Sequence, residues 1–78
     1  MLFSEMEGVE IIDKNGDRIG LLSDIDFDEK GKVKFLIASP PGVLGKVINL
    51  RVKIPFKLVE SMKDVIFVNT TLEELKKV

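Results

Sequence analysis

The 78-residue chain contains no histidine, cysteine, tryptophan or tyrosine, and its aromatic content is five phenylalanines. Without histidine, no side chain has its ordinary titration near neutral pH. Without cysteine there is no thiol nucleophile and no disulfide, and losing both types removes zinc sites of the usual ligand composition. Most enzyme classes are left without their working groups, so the residues predict a chain that is not an enzyme and holds no cofactor or metal. The missing cysteines fit a cytoplasmic location. No apolar run exceeds four residues, as at Phe35–Ala38, far below the ~20 needed to span a bilayer. Membrane insertion is therefore not expected, and no segment reads as a secretory signal.

Hydrophobic residues make up 45% of the chain, enough for one small core. A domain of this size buries only about 60% of the surface its unfolded chain exposes, so self-association would help it. The formal net charge of −1 produces no field that would gather nucleic acid. Its distribution is uneven: residues 1–45 carry nine acids and five bases, residues 46–78 seven bases and four acids. The simple reading is that these charges solvate strand faces. The sharper one is a pair of complementary surfaces suited to head-to-tail contact.

Ser4 to Gly8 has the spacing of one capped helical turn. Val9–Asp13 predicts a strand, and Asn15-Gly16 supplies the pair favoured in a two-residue hairpin turn. The return strand, Arg18 to about Asp28, places Ile19, Leu21, Ile25 and Phe27 on one face and Leu22, Asp24 and Asp26 on the other; Gly20 marks a bulge or a close backbone approach. After a turn at Glu29-Lys30-Gly31, Val33, Phe35 and Ile37 alternate with Lys32, Lys34 and Leu36. Ser39 to Gly45 is a Pro- and Gly-rich loop with Val43 and Leu44 at its tip. Ile48, Leu50, Val52 and Ile54 then alternate with Val47, Asn49, Arg51 and Lys53. Phe56–Lys63 reads as a connector with Phe56 in the core, and Val65–Val68 as a last strand. Thr71 and Glu74 have capping-box spacing for a helix to Val78, with Leu72 and Leu75 on one side and Glu73 paired to Lys77. So short a helix must dock to persist. The pattern predicts an all-β fold: a small, highly curved antiparallel barrel of five to six strands with a short C-terminal helix.

Asp13, Asn15, Asp17 and Asp24 share spacings with a calcium-binding EF-hand loop, but Arg18 stands where the sharp turn needs glycine and strands replace the flanking helices. A hairpin is the better reading. Asp24, Asp26 and Asp28 form an acidic ladder read as the wet side of a strand. Gly42 to Lys46 has fragments of a phosphate loop and of a GXXG loop, each in the wrong context. Lys46, Arg51, Lys53 and Lys57 form a basic cluster without the interleaved aromatics of RNA-binding sheets, so nucleic acid is not the expected partner.

The stretch from Gly8 to Gly20, then Ser23 to Asp28, Gly31-Lys32-Val33, Ile54-Pro55-Phe56 and Asp64 to Val68, resembles the PRC-barrel family in order and spacing. That family is the β-barrel domain of the photosynthetic reaction centre H subunit and of the C-terminal part of the ribosome maturation factor RimM. The resemblance covers about residues 3–69. It implies a single domain over residues 1–78, with the barrel at about 3–69 and the helix at about 71–78, similar to stand-alone archaeal members. It also implies an adaptor without catalytic residues, tied in that archaeal group to cell division. The alternative is an RNA- or ribosome-associated maturation factor resembling the RimM barrel, although no membrane helix and no RimM-type N-terminal domain accompany the match. The resulting expectation is a cytoplasmic adaptor that forms a homodimer or higher oligomer and binds another protein. Its contact residues are Leu22 and Leu36 on charged strand faces, Val43 and Leu44 in the loop, Arg51 and Lys53 on the basic face, and Leu72 and Leu75 on the helix.

Overall fold

The computed structural model describes residues 2–40 and 51–76. Helix α1 (Phe3–Met6) precedes strands β1 (Glu10–Ile12), β2 (Arg18–Phe27), β3 (Val33–Ser39) and β4 (Val52–Pro55); a 3-10 turn (Phe56–Leu58) leads to β5 (Val59–Met62), β6 (Ile66–Val68) and helix α2 (Leu72–Lys76). The six strands form one sheet in the order β4-β3-β2-β1-β6-β5. The expected antiparallel barrel is corrected in two respects. β1 and β6 pair in parallel, with Ile11 opposite Ile66, and no ladder joins β4 to β5 among the described residues, so the sheet is not closed.

It is nevertheless curled. β4 and β5 are opposite edges of the order, and laid flat they would stand about 24 Å apart at the usual strand spacing. The Cα atoms of Pro55 and Val59 are four peptide steps apart, at most about 15 Å. The 3-10 turn therefore spans a gap that exists only if the sheet bends toward itself.

Bulges on β2 supply much of the bend. Ile11 faces Gly20 and Ile12 faces Arg18, leaving Ile19 as an extra residue. Leu22 faces Ala38 and Asp24 faces Ile37, leaving Ser23 as another. Its hydroxyl donates to the Ile37 carbonyl at 3.1 Å. The two irregularities turn Ile19, Leu22 and Ile25 toward the core at a spacing of three, which a regular strand cannot do. Leu22 is 1% exposed and Leu36, on the facing strand, 0%, so these two expected surface contacts are core residues. The core is completed by Met6, Ile11, Ala38, Ile54, Ile66 and Val68. Phe56, expected inside, is 37% exposed, because the 3-10 turn that carries it lies outside the ladder.

Gly20 fulfils the close-approach expectation: a Cβ there would lie 2.6 Å from the Ser39 carbonyl oxygen. The β1–β2 turn differs from the expected two-residue type, which needs positive φ at both central positions. Gly16 alone has it, at +87°. The Gly16 N–H donates to the Asp13 carbonyl at 3.0 Å and the Asp13 N–H to the Asp17 carbonyl at 2.7 Å, a type I turn closed by a glycine bulge. The β2–β3 turn repeats it, with Gly31 at +83°, Gly31 N–H to Asp28 carbonyl at 3.0 Å and Asp28 N–H to Lys32 carbonyl at 2.8 Å.

The expected connector over residues 56–63 is half strand, since β5 pairs with β6 through Val59–Val68 and Met62–Ile66. Thr71 caps α2 as its spacing predicts: the Glu74 N–H donates to Thr71 Oγ1 at 3.1 Å. Leu72 and Leu75 pack on the core. The loop tip at Val43 and Leu44, the strand start at Ile48 and Leu50, and the Glu73–Lys77 pair lie outside the described residues.

Candidate functional site

Three of the acidic residues singled out by spacing, Asp13, Asp24 and Asp28, are engaged in the fold. Asp13 is 7% exposed, and its Oδ1 accepts the backbone N–H groups of Asn15 and Asp17, each at 2.8 Å. Asp28 repeats the arrangement, accepting from Lys30 at 2.8 Å and Lys32 at 2.9 Å. Asp24 accepts the N–H of Ile25 at 2.8 Å. These carboxylates fix turn and strand backbone instead of converging. Among the described residues no group of three or more acidic side chains gathers where a metal ion would sit. No helix among them is long and apolar enough to cross a membrane.

Concavity lies elsewhere, where β4, the 3-10 turn and α2 meet. A groove of about 800 Å³ opens there, its apolar lining provided by Ile19, Val52, Leu58, Leu72 and Leu75. Arg51, Lys53, Lys57 and Lys76 stand around it. Alternation along β4 explains this mixture. Ile54 is fully buried and Val52 half-buried on the core side, whereas Arg51 and Lys53 are exposed. The Lys53 ammonium lies over the Phe35 ring, 5.2 Å from its centroid, a cation–π contact that keeps its charge beside the apolar lining.

Among the described residues Glu74 is the one carboxylate on the groove, and its Oε1 is 2.7 Å from the Lys14 ammonium. That hydrogen-bonded contact with Lys14 holds the Glu74 carboxyl below its ordinary range, with the Thr71 hydroxyl adding to the effect. It also ties α2 to the β1–β2 turn, where the Lys14 N–H donates to the Thr70 carbonyl at 3.2 Å. The net result is a groove with an apolar floor and a positive rim.

Of the expected contact residues, the structure brings Arg51, Lys53, Leu72 and Leu75 together on this groove, joined by Lys57. Leu22 and Leu36 are inside the core, and Val43, Leu44 and Lys46 lie outside the described residues. Sequence reasoning missed Lys76, Leu58 and Ile19. Lys76 was legible as the residue following Leu75 in the last turn of a docked helix. The other two depend on the 3-10 turn and on the β2 bulge, neither of which has a periodic signal.

No curated protein matches the sequence. Among solved structures, the chain is similar to RimM from Pseudomonas aeruginosa, described as a 16S ribosomal RNA processing protein, with a TM-score of 0.68 at 14% identity. The match covers 94% of this chain and 45% of that one, so the chain spans less than half the length of that protein. At this identity the likeness shows a shared fold. The PRC-barrel domain family matches residues 1–75, the whole run of elements from α1 through most of α2, and the chain belongs to that family.

Proposed function

We propose that this chain is a non-enzymatic, cytoplasmic adaptor that self-associates and holds a segment of a partner protein in the groove between β4 and α2. The observation that carries the reading is the groove's composition: an apolar lining of about 800 Å³ rimmed by four cations, against one carboxylate already paired with Lys14. Such a surface selects a segment presenting apolar side chains flanked by acids. A catalytic role finds no support there, since among the described residues the one acidic group lining the groove, Glu74, is committed to an ion pair. By analogy with stand-alone members of the family, cell division is one process such an adaptor would serve.

The test is capture of partner proteins from native cells by the immobilised chain, in parallel with an Arg51→Glu, Lys57→Glu variant. Loss of specific partners with the variant supports the reading; identical capture by both chains sinks it.

The likeness to RimM favours a second reading, in which the same basic rim contacts a ribosomal particle. It requires association with ribosomal subunits at low salt that weakens steeply as salt rises, because each phosphate contact releases counterions. Absence of such association in sedimentation at low salt removes it.

A further inference from the structure

The chain itself carries a segment with the chemistry the groove selects. Helix α1 is held to the core by Met6, which is 6% exposed, while Leu2 is 66% and Phe3 36% exposed. Glu5 and Glu7 are exposed beside them. The segment is thus a knob with two large apolar side chains and two carboxylates.

Topology keeps this knob away from its own groove. β1 and β6 run parallel and in register, so the segment that enters β1 and the segment that leaves β6 lie at opposite ends of the pair. α1 enters β1, and α2, which forms one wall of the groove, leaves β6. Hydrogen bonds fix both positions: Gly8 N–H to Leu22 carbonyl at 2.8 Å at one end, and Lys14 N–H to Thr70 carbonyl at 3.2 Å at the other. Knob and α2 wall therefore lie toward opposite ends of the β1–β6 pair, and among the described residues none of α1 lines the groove.

We propose that copies of this chain join head to tail, the α1 knob of one copy seating Leu2 and Phe3 in the β4–α2 groove of the next, with Glu5 and Glu7 against Arg51 and Lys57. Charge complementarity argues for a second copy as occupant. The two acids of the knob meet a rim whose four cations have no acidic partner among the described residues, the recorded ion pairs there being Lys14–Glu74 and Arg18–Glu10. The β2–β3 turn at the knob's end of the sheet carries Asp28 and Glu29 against Lys30 and Lys32 and adds no net charge to oppose the contact. Two different patches make the contact heterologous, and such a contact propagates into open chains or rings instead of a twofold dimer. The inference rests on the groove being a docking surface and names its occupant.

The experiment is sedimentation of the full chain from micromolar to millimolar concentration, with two charge-reversed variants: Glu5→Lys, Glu7→Lys on the knob and Arg51→Glu, Lys57→Glu on the rim. The wild type is expected to grow beyond dimer with concentration and to shrink with salt. Each variant alone should associate at least about tenfold more weakly, since the knob variant sets two cations against a cationic rim and the rim variant cancels the rim's charge. Mixing the two variants should restore association, because the rim variant's unaltered acidic knob meets the knob variant's unaltered cationic rim. Phe3→Ser, which leaves every charge in place, should also weaken association and covers the case in which the double lysine variant loosens α1. A wild type that stays monomeric overturns the inference, as does a dimer that grows no further or assembly indifferent to the substitutions. A monomer that still loses its captured partners on rim reversal would overturn this inference and the self-association proposed above, and leave the reading of the groove as a partner-docking surface standing.

Discussion

Asp13 and Asp28 perform the same backbone task at different depths, and replacing each with alanine separates hydrogen bonding from burial. In both turns one carboxylate oxygen accepts two backbone N–H groups at 2.8–2.9 Å. Asp28 is half-buried on an open turn, where water can reach the vacated N–H groups of Lys30 and Lys32. Its loss should cost about 1 kcal/mol, the net worth of an exchangeable hydrogen-bond set. Asp13 is 7% exposed and lies in a turn held against the segment before α2 by the Lys14 N–H to Thr70 carbonyl bond. Removing it leaves donors with restricted access to water, and the penalty for unsatisfied groups raises the cost to about 2–3 kcal/mol. That is a large share of the roughly 4–12 kcal/mol available to a domain of this length. In thermal unfolding, with about 4–8 °C per kcal/mol for a small domain, Asp28→Ala should lower the midpoint by about 5 °C and Asp13→Ala by roughly 10–20 °C. Asp13→Asn, which keeps the acceptor oxygen, should recover most of the loss. Equal shifts for the two alanine variants, or a larger one at Asp28, would refute the argument that burial sets the difference.

Gly20→Ala should destabilise by about 1–3 kcal/mol in urea unfolding, because the added methyl meets the Ser39 carbonyl oxygen at 2.6 Å and the β2–β3 ladder must spread; a change within experimental error would show that the ladder yields freely. Leu22→Ala and Leu36→Ala should each cost about 2–5 kcal/mol, since both side chains are core; losses confined to self-association, with stability intact, would restore them to the surface. The Glu74 carboxyl is held low by Lys14 and Thr71, so the folded state binds its proton less readily than the unfolded chain. Its stabilisation is therefore present above the ordinary carboxylate range and lost as pH falls through the lower folded value. Acid titration followed by amide exchange in α2 should show the helix loosening over that interval, and Glu74→Gln should remove this pH dependence; unchanged pH dependence in that variant would disprove the linkage.

Local chemistry was legible wherever a few neighbouring residues decide the outcome. Thr71 with Glu74 announced a capped helix, and Gly20 announced a tight approach because no other residue would leave room for the Ser39 carbonyl. Asn15-Gly16 announced a turn, but not its type: the deciding residue is Asp13, whose carboxylate favours the longer turn by bonding two of its N–H groups, and the same Asp-x-x-Gly pattern recurs at Asp28–Gly31. What alternation could not reveal is phase. A single extra residue flips every later side chain to the other face, and β2 contains two, at Ile19 and Ser23. Leu22 was consequently assigned to the wet side while lying in the core, and Leu36 was too, on a strand where Lys34 is the extra residue between Val33 and Phe35. Of the groove, the basic β4 residues and the apolar side of α2 were readable one at a time. Their meeting was not, because it depends on the bend that brings the sheet edges together at Phe56–Leu58.

The parallel pairing of β1 with β6 links the fold to the function proposed for this chain. An antiparallel meander closed on itself would bring its first and last strands together running in opposite directions, and the flanking helices would then share one end. Parallel pairing requires a long crossover, supplied here by β2 to β5, and in return it separates the helices. α2 then walls the groove from the end of the β1–β6 pair opposite the one at which α1 enters, and among the described residues none of α1 lines that groove. A reversal of charges without any change in fold, as in the paired knob and rim variants, would alter which copies fit together while leaving the core untouched. In the proposed assembly the acidic knob and the cationic groove are the complementary surfaces, and the direction in which one short strand pairs sets α1 and α2 at opposite ends of the β1–β6 pair.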